Sequence, residues 1–175
     1  MKNNRGFTLL ELMVVVAILG IVTGMAAYSI TSVSDTRARK FASDFNALLS
    51  ECRVNTLSGA PAPVYLTLSW EGGEYYGTLY EGGSQKTRVQ LPRSVACSFT
   101  ADGTVYDLGE TYASLSLGFD RSTGAFEALE QVKSAAGDGL NPGLSGGCTA
   151  VTAAAGGGAR TVELTPATGY HRVVR

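Results

Sequence analysis

The sequence is poor in the residues that build most catalytic and metal centres. It has one histidine, His171, and three cysteines, Cys52, Cys97 and Cys148, none in CxxC spacing. That leaves no ligand set for a zinc or haem site. Asp102, Asp107, Asp120 and Asp138 are scattered, without the dense oxygen-ligand spacing of a calcium loop. GGGAR at 156–160 lacks the lysine and hydroxyl residue of a phosphate-binding loop and reads as a loop. No feature brings His171 to a cysteine as base to thiol. The reading is of a chain that is not an enzyme, with no catalytic residues, no metal and no cofactor.

Charge is also scarce, at 17% of residues with a formal net of −1. Without Met1 to Gly6, which carry Lys2 and Arg5, the balance is 12 basic to 15 acidic side chains, or −3. Bulk attraction to nucleic acid is thereby excluded as a driving force. Proline is absent before Pro61, and no lysine or arginine lies between Phe7 and Arg37.

Apolar residues fill that gap. MKNNRGFTLLELMVVVAILGIV opens with a short basic segment and runs into a stretch, Phe7 to Ile30, that would rise roughly 36 Å as a helix, enough for a hydrocarbon core of about 30 Å. A secretory signal cut near Gly24 to Ala27 and a plain membrane anchor both fit the apolar run. Both leave Glu11 unexplained. A carboxylate inside a span is costly unless it finds a partner, and this apolar segment holds no cation. Cleavage between Gly6 and Phe7 would create one, an α-amino group at Phe7 that the Glu11 of a neighbouring copy could meet. At about 4 Å and an effective dielectric near 20 that attraction is about 4 kcal/mol before desolvation is subtracted.

GFTLLELMVVVAILGIV resembles the class III signal and N-terminal helix of type IV pilins and type II secretion pseudopilins. The resemblance implies a leader of residues 1–6, cleavage after Gly6 by a membrane-embedded prepilin peptidase, N-methylation of Phe7, and alignment of subunits by Glu11. It implies further partners: other pilin subunits, an inner-membrane assembly platform, and membrane lipid before assembly. The precursor would sit in the cytoplasmic membrane with its C-terminal domain outside the cytoplasm, and the filament would be periplasmic or extracellular. Many pilins carry a helix-breaking proline where this chain has Tyr28, so an unbroken helix is expected here.

Past Ile30 the pattern turns amphipathic. Val33, Phe41, Phe45, Leu48, Leu49 and Cys52 fall on one stripe, and Gly59, Pro61 and Pro63 end the helix. The segments are therefore 7–30 as membrane and assembly helix, 31–58 as its amphipathic continuation, and 59–175 as a β-rich domain. From Val64 the period becomes 2. VYLTLSW reads as a half-buried strand, EGG at 71–73 and at 81–83 as turns, and EYYGTLY as the strand between them. Further strands are expected at 88–91, 95–100, 104–108, 114–119 and 125–129. Residues 134–159, rich in glycine and alanine, read as a long surface loop, and RTVELT with YHRVVR as a terminal hairpin. Helix first and strands after is an α+β architecture. If the domain lies outside the cytoplasm, the expected disulfide joins Cys97 and Cys148, because Cys52 falls in the helical pattern; the odd cysteine leaves the pairing open.

RARKFASDFNALLSECRVNTLSGAPAPVYLTL, LGFDRSTGAF and RTVELTPATGYHRVV together resemble the minor pilins and pseudopilins typified by the GspH and FimT families, with Arg53 at the helix-end arginine. This implies a minor subunit of a type IV pilus or of a type II secretion pseudopilus. A solitary membrane-tethered domain is a third reading. Some FimT-like proteins are associated with DNA uptake through a basic tail, so His171, Arg172 and Arg175 are candidate DNA contacts, weighed against an edge strand kept soluble by charge.

Overall fold

The fold was described from a computed structural model, which defines residues 8–109, 111–129, 144 and 146–175, the side chains of 26–33 excepted. Among the described residues one helix, α1 (Leu9–Leu57), leads into nine strands: β1 (Val64–Glu71), β2 (Glu74–Glu81), β3 (Ser84–Gln90), β4 (Ala96–Ala101), β5 (Thr104–Leu108), β6 (Ser114–Gly118), β7 (Cys148–Ala155), β8 (Gly158–Thr165) and β9 (Tyr170–Val174). The α+β expectation holds, and α1 runs unbroken past Tyr28. At 1.5 Å per residue its 49 residues span roughly 73 Å.

The two halves of α1 live in different surroundings. In the second half Ala38, Phe41, Ala42, Phe45, Leu48, Leu49 and Cys52 are buried, a stripe at helical spacing laid against strands of both sheets. Each large side chain on it stabilises the fold by about 1.5–3 kcal/mol relative to exposure. The side chain of Val33, expected on this stripe, lies outside the described residues. In the first half every large apolar side chain from Leu9 to Met25 is exposed.

The strands form two antiparallel sheets, ordered β3-β2-β1-β6 and β5-β4-β7-β8-β9. The first is built by the two EGG turns, each a two-residue hairpin with both glycines at positive φ, at Gly72–Gly73 and Gly82–Gly83. Strand β1 lies between β2 and β6 and is buried on both faces over Val64–Leu68, not half-buried. Its polar-looking face is closed by cross-strand pairs: Tyr65 stacks on Tyr80 at 5.2 Å, and Thr67 Oγ1 lies 2.9 Å from Ser116 Oγ.

The surface loop expected over 134–159 needs correction. Its described C-terminal part is strand β7, hydrogen-bonded between β4 and β8 at the centre of the second sheet. The alanines are small because α1 lies over them: Ala153 and Ala155 are buried, and a Cβ on Gly156 would stand 2.3 Å from that of Ser34. GGGAR is accordingly the β7–β8 hairpin, turning through Gly156 and Gly157, and not a flexible loop. The strand expected at 125–129 is reduced to a single bridge between Phe119 and Phe126.

The two sheets are joined through Tyr75 on β2. Its hydroxyl donates to the Leu108 carbonyl at 2.6 Å and accepts the Cys97 amide at 3.2 Å. Burial raises the phenol to about 12, so it stays protonated as a donor.

Candidate functional site

The chain's N-terminal chemistry begins at the start of α1. Thr8 caps the helix, its side chain accepting the Glu11 amide at 3.3 Å. Glu11 therefore stands in the first turn, where a carboxylate complements the helix dipole. It is flanked by Leu9, Leu10, Leu12 and Met13, all more than 60% exposed. Gly6 and Phe7, the expected cleavage residues, lie outside the described residues. Among the described residues no helix is long and apolar enough to cross a membrane. The described apolar side chains, Leu9 to Met25, cover roughly 25 Å, short of a hydrocarbon core of about 30 Å; a span would need the helix to continue through Ala26 to Ile30.

At its other end α1 meets the three segments on which the second resemblance rests. Arg53 donates to the Thr168 carbonyl at 3.0 Å, in the turn before β9, and its guanidinium lies against Gly124 of the RSTG turn. That turn is tied by Asp120, whose Oδ1 accepts from Ser122 and Thr123 through both amides and both hydroxyls. Those bonds hold its carboxyl down at about 2. Arg121 donates to the Ala60 carbonyl beyond the helix end, and the Phe126 amide bonds to the Pro166 carbonyl at 2.9 Å. A helix-end arginine, a glycine turn and the terminal hairpin thus converge on one junction.

His171 belongs to this junction. Nδ1 lies 3.1 Å from the Gly169 carbonyl, which can only accept, so Nδ1 carries the proton and Nε2 accepts from Ser50 Oγ at 3.0 Å. The ring packs near Phe119 and Phe126, and burial lowers its pKa. The Ser50 hydroxyl has one proton for two acceptors, His171 Nε2 and the Asn46 carbonyl, each at 3.0 Å. The pair fastens β9 to α1.

The candidate DNA contacts do not form one surface. His171 is half-buried at the junction; Arg172 pairs with Glu163 across the hairpin at 2.9 Å. Only Arg175 joins other cations, lining a groove with Arg39 and Arg160. The expected Cys97–Cys148 disulfide is also corrected. All three thiols are free and buried, and the β4–β7 register sets Cys97 opposite Ala153 and Cys148 opposite Ala101. Four strand positions separate the two, roughly 13 Å along the sheet, whereas a disulfide needs Cα atoms within about 7 Å. Burial pushes Cys52 and Cys148 up to about 12 and raises Cys97 as well, which makes all three inert packing residues.

Residues 1–27 match the family model described as the prokaryotic N-terminal methylation motif. The chain is also 39% identical over 71 residues to the type II secretion system protein H of Escherichia coli (strain K12). Both likenesses point to the type IV pilins and pseudopilins as the proteins this chain is similar to. Pilins and pseudopilins are structural and not enzymatic. The protein H match covers 38% of this chain and 41% of that relative's length. No solved structure matches the chain at a significant level.

Proposed function

We propose that the chain is a minor pilin or pseudopilin, a structural subunit that enters a filament through α1. The observation that carries this reading is the bare first half of the helix, where Leu9 to Met25 present apolar side chains all round with no cover from the rest of the described residues. Contiguous apolar surface of that extent calls for lipid or other helices. The match of residues 1–27 to the prokaryotic N-terminal methylation motif supports the pathway that follows. Prepilin peptidase cuts after Gly6 and methylates Phe7 while the precursor is held in the cytoplasmic membrane by the helix, its domain outside the cytoplasm. At the assembly platform each helix exchanges lipid for neighbouring helices, and Glu11 of one subunit meets the Phe7 amine of another. The domain then rides on the outside of a periplasmic or extracellular filament.

Similarity to protein H favours a secretion pseudopilus over a pilus. The dispersal of His171, Arg172 and Arg175 disfavours a DNA-binding tail. In the native host, Glu11→Ala should leave cleavage and membrane retention intact and lower the fraction of subunits recovered in sheared filaments. Normal incorporation of the Glu11→Ala chain would sink the pairing role.

A further inference from the structure

A groove of about 380 Å³ opens beside α1, lined by Arg39, Arg160, Val173, Val174 and Arg175. Arg160 is 7% exposed, and its guanidinium meets Asp35 Oδ1 at 2.8 Å and Oδ2 at 3.0 Å. Arg39 reaches back one turn to the same carboxylate at 3.6 Å. Asp35 is thus shared by two arginines while Arg175 stands across from them. Three guanidiniums line this place against the one carboxylate of Asp35, a positive balance. A desolvated, anchored guanidinium flanked by two exposed ones is a cradle for a phosphate oxyanion.

The position of the groove selects the source of that phosphate. Strand β9 lies along α1, with His171 at the level of Ser50 and Arg175 at that of Arg39. The groove is therefore at the end of the domain nearest the apolar helix. Asp35 stands five residues beyond Ile30, a rise of roughly 7.5 Å, and the headgroup layer of one leaflet is roughly 5–8 Å thick. Because Arg39 and Arg160 both fold onto Asp35, their guanidiniums lie at headgroup depth when the helix is in the bilayer.

We propose that this groove binds the phosphate of an anionic phospholipid and seats the base of the domain on the membrane before assembly. The proposal rests on the membrane-held precursor described above. Full-length chain in nanodiscs of phosphatidylcholine, with and without phosphatidylglycerol, tests it through amide hydrogen exchange. Residues 156–161 and 170–175 are expected to exchange about fivefold more slowly in the anionic discs, the scale of one arginine's attraction to such a surface. The double variant Arg39→Gln, Arg175→Gln, which changes only exposed guanidiniums, should abolish that difference. Equal exchange in the two kinds of disc would overturn the proposal, as would slowing by inorganic phosphate alone in phosphatidylcholine discs, which would make the site one for free anions. A chain that does not enter discs at all would overturn the anchoring together with the proposal.

Discussion

At Gly169 the backbone takes φ +66°, and a Cβ there would stand 1.8 Å from the Gly124 carbonyl oxygen. Gly59 has φ +83° with open space around it. Gly169→Ala is therefore expected to destabilise the domain by about 2–5 kcal/mol, and Gly59→Ala by about 1–2 kcal/mol, read from urea midpoints. Tyr75→Phe keeps the ring and strands both the Leu108 carbonyl and the Cys97 amide, for an expected loss of about 1–3 kcal/mol by the same measurement. His171 gives a pH signature. Burial holds its folded pKa below 6.5, so the unfolded chain binds the proton more readily, and its contribution is full above about 6.5 and falls as pH drops through the folded value. Glu127 acts in the opposite sense: burial raises it above 4.5, and its contribution is lost as pH rises through the folded value. Comparing wild type with His171→Gln from about pH 7.5 to about pH 5 isolates the histidine. The variant should show the weaker loss of stability on acidification; parallel curves would remove His171 from the linkage.

Among the elements, the terminal hairpin depends most on side chains from α1. Arg53→Ala removes the donor to the Thr168 carbonyl and should speed amide exchange over 168–174 while leaving β1 and β2 unchanged. Uniform loss of protection across both sheets would show instead that Arg53 supports the whole core. Parts of this arrangement were legible in the sequence. The stripe through Phe41, Phe45, Leu48, Leu49 and Cys52 is the face that packs, because a 3.6-residue period survives in composition alone. The two EGG turns were legible because only glycine takes both central positions of such hairpins at little cost. Strand β7 was hidden by its alanines, whose low strand propensity is overridden by the need for small side chains under α1. The Cys97–Cys148 pairing failed for a related reason: register decides which residues face each other, and the order of strands β4, β7 and β8 is not written in their periodicity. The junction at Arg53 was visible only as a likeness of three separated segments, since the bonds joining them run to backbone carbonyls, which any sequence supplies.

On the scale of the whole molecule, one continuous helix carries two kinds of surface. Its domain half is covered by the chain's own sheets, whereas among the described residues nothing covers Leu9 to Met25. An assembly that covers Leu9 to Met25 removes that apolar surface from both water and lipid, and the carboxylate of Glu11 then needs a cation inside the packed helices. On the function proposed above, cleavage after Gly6 is what puts that cation in place. Intact mass and N-terminal sequencing of the chain recovered from its native host test this most directly. The account expects a mature protein that begins at Phe7 with a methylated α-amine. A mature protein that retains Met1 to Gly6 would leave Glu11 without its partner and contradict assembly through the cleaved helix.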